Sequence, residues 1–304
     1  VIGFVFPGMG PYRFAEVAEF LTTDPSARRL MAIADDVLGY RLLDRMARSE
    51  GDYTEAAQIG FMVTCLAVAE RAARMSGAVP GICAAPSFGA RSAVCYTGSL
   101  PVAESVSLTS RIARTVHDYF GRELTDVVTH SFIRATPERL GEITTELTDR
   151  GEWCELSCRI DEDFAMVTLR ERNLDWFQAR LRGIGALPLY TMRPPMHSTI
   201  LGALRNRIEE EVLRDFSFAD PGLPIVRDHD GGVVVTGDGV RELLLAGFVK
   251  PLHWPTVVAG MKRRGVTEVY VCGPDTLFGR VAVTTNNLRV RRVLPLSRGA
   301  LSFE

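Results

Sequence analysis

An apolar run, Val79-Pro80-Gly81-Ile82-Cys83-Ala84, leads straight into Ala85-Pro86-Ser87-Phe88-Gly89-Ala90 and then into a helical pattern through Tyr96. A strand that becomes a helix within so few residues needs a sharp turn. A serine at its apex points its hydroxyl away from the backbone, while the next amide is left free to bind an oxyanion. Ser87 is thus a candidate nucleophile and Phe88 a candidate backbone donor. On its own the motif also fits a serine that merely caps the helix, because Ala85 stands where the first glycine of Gly-x-Ser-x-Gly belongs and only Gly89 is kept.

The rhythm of the chain on either side predicts a parallel α/β core. Residues 2–6 read as a buried strand, a helix opens at Asp24-Pro25, and Gln58 to Met75 is a strongly apolar helix. Val102 to Tyr119 continues the helical pattern after the turn. Between about 124 and 191 the pattern changes. Val127–Ile133 reads as a strand, Thr136-Pro137 as a helix start, and Trp153–Ile160 as a strand. Phe164–Leu169 is a further strand, Asn173 caps a helix through Leu181, and Ala186–Tyr190 closes the set. Strand-helix-strand twice over is the ferredoxin-like pattern. The expected fold is therefore a hydrolase-like parallel-sheet core, residues 1–123 and 192–304, with a ferredoxin-like α+β subdomain inserted over 124–191. After it, His197 is read as starting a long helix to about Leu213, Val240–Val249 as helical, and Val269–Cys272 as a last buried strand.

Composition excludes several function classes. Lys and Arg number 35 against 37 Asp and Glu, a net charge of −2 that offers no global field for nucleic acid or an anionic membrane. No basic leader precedes an apolar segment, and no apolar run reads as long enough to span a bilayer, so a cytoplasmic protein is expected. Cys65, Cys83, Cys95, Cys154, Cys158 and Cys272 lack paired spacing and read as reduced thiols. Cys154 and Cys158 have no second ligand pair at zinc spacing, and no metal is expected.

Two distant segments give Ser87 its context. The chain opens with Ile2-Gly3-Phe4-Val5-Phe6-Pro7-Gly8-Met9-Gly10, a strand ending in a glycine-rich loop, and later carries Arg193-Pro194-Pro195-Met196-His197-Ser198. In the order glycine loop, serine elbow and histidine, nearly the whole chain resembles the malonyl-CoA:acyl-carrier-protein transacylase family. Within it the chain resembles the discrete trans-acting acyltransferases of polyketide biosynthesis, and in particular the vicenistatin-type branch that moves aminoacyl chains between carrier proteins.

That resemblance implies a cofactor-free acyl transfer. Ser87 takes an acyl group from an acyl-CoA or acyl-carrier donor, His197 is its base, and the group passes to the phosphopantetheine thiol of an acyl carrier protein. The backbone amides of Met9 and Phe88 would form the oxyanion hole. The carbonyl of Gly247, aligned through Pro251-Leu252-His253-Trp254, would orient His197. The family binds a malonyl carboxylate with an arginine on the helix after the elbow; Arg111 and Arg114 are the candidates, both out of register. Met196 joins Met9 and Phe88 in an apolar pocket better suited to a non-malonyl chain. Arg289, Arg291 and Arg292, with Lys262, Arg263 and Arg264, are candidates for carrier docking. The alternatives are a malonyl-CoA:carrier transacylase, an acyl hydrolase, and a degenerate homologue that docks carriers without chemistry, the last favoured by Pro86 and Ala90 where the family has histidine and glutamate.

Overall fold

The computed structural model describes residues 1–295; residues 296–304, which the sequence assigns to the core, lie outside the described residues. β1 (Ile2–Val5) ends in the Phe6–Gly10 loop, and α1 (Phe14–Thr23), α2 (Pro25–Leu38) and α3 (Leu42–Ala47) lead to the long α4 (Glu55–Ser76). β2 (Ile82–Ala84) enters the elbow, followed by α5 (Gly89–Tyr96) and α6 (Val102–Arg122). Then come β3 (Val127–Ile133), α7 (Pro137–Asp149), β4 (Cys154–Arg159), β5 (Phe164–Arg170), α8 (Leu174–Gly183) and β6 (Leu187–Met192). The chain returns through α9 (Gly202–Glu211), β7 (Ile225–Val226), β8 (Val233–Val234), α10 (Gly237–Val249), β9 (Leu252–His253), α11 (Trp254–Arg263), β10 (Glu268–Cys272), α12 (Ala282–Thr285) and β11 (Arg289–Val293).

Two sheets result. The core sheet has the order β11-β10-β1-β2-β7-β8 and is parallel except for the β7–β8 pair. Its central strands are apolar on both faces because helices cover both: Phe4, Val5, Cys83 and Ala84 are fully buried. The small sheet, β6-β3-β5-β4-β9, is antiparallel through β6-β3-β5-β4, carries α7 and α8, and has its own core of Val128, Phe132, Ile143, Val167 and Phe177. The fold is thus an α/β core with a ferredoxin-like insert. The two sheets are joined at β9, which leaves the core to pair in parallel with Cys158 and Arg159 of β4.

Local chemistry explains the helix ends. Asp24 accepts from the amides of Ser26 and Ala27, Pro25 occupies the first turn of α2, and Gly39 closes that helix at φ 71°. α4 is long and apolar enough by composition to cross a membrane, which corrects the reading that no such run exists. Its apolar residues are spent inside the protein, where Ile59 through Ala69 are almost entirely buried.

Three local expectations change. Asn173 does not cap α8 with its side chain; its amide instead donates to Glu152 at 2.8 Å. His197 does not begin a helix: its backbone is left-handed at φ 59°, and only a short 3-10 turn at Thr199–Leu201 precedes α9. The basic run at Arg289–Val293, expected only as a candidate docking patch, takes the form of the edge strand β11.

Candidate active site

Ser87 sits at φ 53° between β2 and α5. A left-handed conformation is uncommon and costly for a residue with a Cβ, so surrounding structure must hold it. Gly89 is part of that hold. A Cβ there would lie 2.0 Å from the Phe6 carbonyl oxygen, so only glycine lets the first turn of α5 press against the end of β1. The Ser87 amide donates to Asp228 Oδ2 at 2.9 Å, a bond from the turn after β7.

Ser87 Oγ and His197 Nε2 lie 2.9 Å apart. The other ring nitrogen, Nδ1, faces the Lys250 carbonyl at 3.1 Å, which is the arrangement of a ring that donates through Nδ1 and accepts at Nε2. Ser198 and Thr199 are in turn fixed by Glu155 of β4, which accepts from Ser198 Oγ at 2.6 Å and from the Thr199 amide at 2.8 Å. His197 is 2% exposed. Burial holds its imidazole below the ordinary histidine range, while the charge of Asp228 and the bond to Lys250 act in the opposite sense.

The orienting carbonyl is a correction: it belongs to Lys250, not Gly247. Gly247 lies inside α10, whereas at Lys250 the backbone has become extended (φ −98°, ψ 139°), and it is there that the carbonyl reaches the histidine. Gly247 instead lines a pocket beside Ser87.

Two cavities meet at Ser87. The larger, about 520 Å³, runs between core and small sheet and includes Met9, Tyr12, Tyr53, Cys158, Phe164, Tyr190, His197, Phe278 and Arg280. The smaller, about 90 Å³, lies beside Ser87 among Phe88, Ile112, Val116, Met196, Leu243, Leu244 and Phe248. Met9, Tyr53, Ser87 and Met192 border both. Met9, Phe88 and Met196 all line the smaller cavity.

Arg111 and Arg114 do not. Both flank the face of α6 that reaches the smaller cavity, which is Ile112 and Val116. Arg111 pairs with Asp215 at 2.7 Å and Arg114 with Glu55 at 2.9 Å. The arginine that does line the cavity is Arg91, one helical turn after Ser87, which the sequence reading passed over. Its Nη1 donates to Gln58 Oε1 at 2.7 Å, its guanidinium lies 4.6 Å from the centre of the Phe88 ring, and burial pushes its pKa down to about 9. The signal was its spacing from Ser87. Asp228 is the second residue missed, since nothing in Arg227-Asp228-His229-Asp230 distinguishes it from a charged turn.

Arg291 is paired with Glu268 at 2.7 Å, and Lys262 bonds Asn287 at 2.6 Å. Lys262, Arg263 and Arg264 line neither cavity. Arg289 and Arg292 line an open depression that shares Arg280 with the mouth of the larger cavity. Among the described residues, no group of three or more His, Cys, Asp or Glu side chains is placed to hold a metal ion.

A family model described as the VinK acyltransferase small domain matches residues 131–192, which run from β3 through β6. The chain is 23% identical over 296 residues to a malonyl CoA-acyl carrier protein transacylase of Bacillus subtilis, covering 94% of this chain and 72% of that protein. To the protein of the same description from Escherichia coli (strain K12) it is 22% identical over 294 residues, covering 90% and 89%. Among solved structures, the malonyl-transacylase PlMCAT in complex with AntF, a type II polyketide synthase acyl-carrier protein, superposes with a TM-score of 0.84 at 20% identity over 96% of both chains. FabD from Acinetobacter baumannii gives 0.84 at 19% identity, covering 96% and 93%. These likenesses establish the fold.

Proposed function

We propose that the protein is a serine acyltransferase that passes an acyl group from a thioester to an acyl carrier protein. The observation that carries this reading is the 2.9 Å approach of His197 Nε2 to Ser87 Oγ at the junction of two cavities. The similarity to transacylases over some nine-tenths of the chain supports it.

In the first half-reaction His197 Nε2 takes the Ser87 proton as Oγ bonds to the thioester carbonyl carbon, and the negative oxygen is met by the amides of Met9 and Phe88. The C–S bond then breaks, and the departing sulfur takes the proton from His197. In the second half the carrier thiol gives its proton to His197, sulfur bonds to the acyl carbon, the ester C–O bond breaks, and the proton returns to Ser87. Nothing in this sequence needs a metal or redox cofactor. The larger cavity takes the pantetheine arm and the smaller one the acyl group. The acidic helix of the carrier then meets Arg280, Arg289 and Arg292 at the mouth. Six unpaired cysteines support a reducing cytoplasm as the compartment of this enzyme.

For the acyl chain, the apolar lining by Met9, Phe88, Met196 and Phe248, with Arg111 and Arg114 held elsewhere, supports a non-malonyl chain. This is the aminoacyl type handed between carriers in polyketide pathways. Arg91 favours a second reading, a malonyl group whose carboxylate meets that guanidinium. Intact-mass spectrometry with malonyl and longer uncharged thioesters in competition decides between them. Preferred loading of malonyl, lost in Arg91→Gln, would establish the second reading. An adduct that leaves as free acid faster than it reaches an added carrier would replace transfer by hydrolysis, and no adduct from any thioester would leave only a docking role.

A further inference from the structure

Asp228 is 4% exposed and lies in the turn between β7 and β8, 141 residues from the nucleophile in sequence. Two of its oxygens accept hydrogen bonds, and the third lies near a ring nitrogen. Oδ2 accepts the Ser87 amide at 2.9 Å, the backbone carbonyl accepts the His253 amide at 2.7 Å, and Oδ1 lies 3.7 Å from His229 Nδ1. The side chain also borders the smaller cavity. A carboxylate shut away from water is costly unless its charge is used. Here one oxygen is spent on a single backbone amide, that of the strained residue bearing the nucleophile.

We infer that Asp228 is a positioning residue of the reaction, which holds Ser87 in its left-handed conformation through Oδ2 and steadies the imidazolium formed when His197 takes the serine proton. The inference rests on the reading of Ser87 as nucleophile and His197 as base. The titratable and charged groups facing the imidazole are Asp228 and His229 from the turn after β7, and the Ser87 hydroxyl from the elbow. The end of α10 contributes the Lys250 carbonyl, and β4 contributes Glu155, which holds the two residues after the histidine. Asp228 is the negative charge among those that act on the ring directly. Its two roles are separable, because asparagine keeps an oxygen for the Ser87 amide and loses the charge.

The experiment uses p-nitrophenyl acetate, an activated ester that needs no knowledge of the natural acyl group. The rate of the p-nitrophenolate burst is followed from about pH 4.5 to 8.5, with the acetyl adduct read by intact mass and Ser87→Ala as the blank. Asp228→Asn should move the acid limb of the profile down by about half a unit to one unit and lower the plateau about 3- to 10-fold. Asp228→Ala, which also strips the elbow amide of its partner, should lower the plateau roughly 100-fold or more. Should the alanine variant fail to fold, the asparagine variant decides alone. An asparagine variant whose limb and plateau match the wild type would overturn the inference, as would an alanine variant no slower than asparagine. Absence of a Ser87 adduct in the wild type is a different result; it would overturn the nucleophile reading itself and the role of Asp228 with it.

Discussion

Ser87 and His197 both adopt left-handed backbone conformations, φ 53° and 59°, and their side chains meet at 2.9 Å although 110 residues separate them. Two strained residues that face each other are held there by separate devices. Gly89 and Asp228 secure the serine, and Glu155 and Lys250 secure the histidine. Strain concentrated at one point of contact marks a site whose geometry matters more than its local stability.

On the proposed mechanism nucleophile and base act as a unit, so Ser87→Ala and His197→Ala should each lower acyl transfer by about 10³-fold or more, with the double variant scarcely worse than either. Intact mass should show a covalent adduct in the wild type and none in Ser87→Ala. Transfer at wild-type rate without Ser87 would remove it from the mechanism.

His197 must be neutral to accept a proton, and burial favours the neutral ring. The acid limb of kcat/KM should therefore have its midpoint below about 6.5, the ordinary histidine value. Initial rates across pH with a stable thioester read this directly; a limb at 7 or above would mean that another group controls the base.

Gly89→Ala should destabilise the fold by about 3 kcal/mol or more, because the new methyl group meets backbone rather than a movable side chain. Urea unfolding measures the loss. Gly141→Ala is the control: a Cβ at Gly141 meets nothing within 4 Å, and the exchange in mid-helix should be neutral or stabilising.

His130, buried in the small sheet beside Thr191, has its pKa pushed down to about 4, first by burial and then by Arg182. The unfolded chain takes up a proton near 6.5 that the folded chain refuses until about 4. The stability His130 confers is therefore whole above 6.5 and drains away as the pH falls through that window. Urea melts at pH 7 and 4.5 should show a smaller acid loss for His130→Gln than for the wild type.

Arg280 borders both the mouth of the larger cavity and the basic depression beside it. Arg280→Glu should raise the KM for a carrier protein about tenfold, an effect that fades with added salt, and leave ester turnover unchanged. The same change at Arg263, which lines neither cavity, should leave that KM alone. Equal effects at both positions would place the docking face elsewhere.

Much of the architecture is legible in the chain because it is written in short-range terms. Thr136-Pro137 announces α7, the alternation at Val127–Ile133 gives β3 its observed bounds, and the elbow is implied by a strand that meets a helix within five residues. What escapes depends on distance. The Lys250 carbonyl was placed three residues too early, because alignment through Pro251 cannot show where α10 stops and the backbone turns. Arg111 and Arg114 were weighed by their spacing from the elbow, whereas ion pairs with Asp215 and Glu55 decide which way they point. Asp228 carries no local signature and Arg91 only its spacing from Ser87; what fixes them are partners 141 and 33 residues away.

β9 is only Leu252 and His253, yet it pairs with Cys158 and Arg159 of β4 just past the carbonyl that steadies His197. On the other side of the histidine, Ser198 and Thr199 are moored to Glu155 of the same β4. His197 is thus flanked by two anchors on one strand of the small sheet, while Ser87 belongs to the core. The Ser198 amide also donates to the Phe248 carbonyl of α10 at 3.0 Å, so the histidine sits on the seam where insert and core are stitched together, and a change that loosens either sheet there should be felt first at its ring.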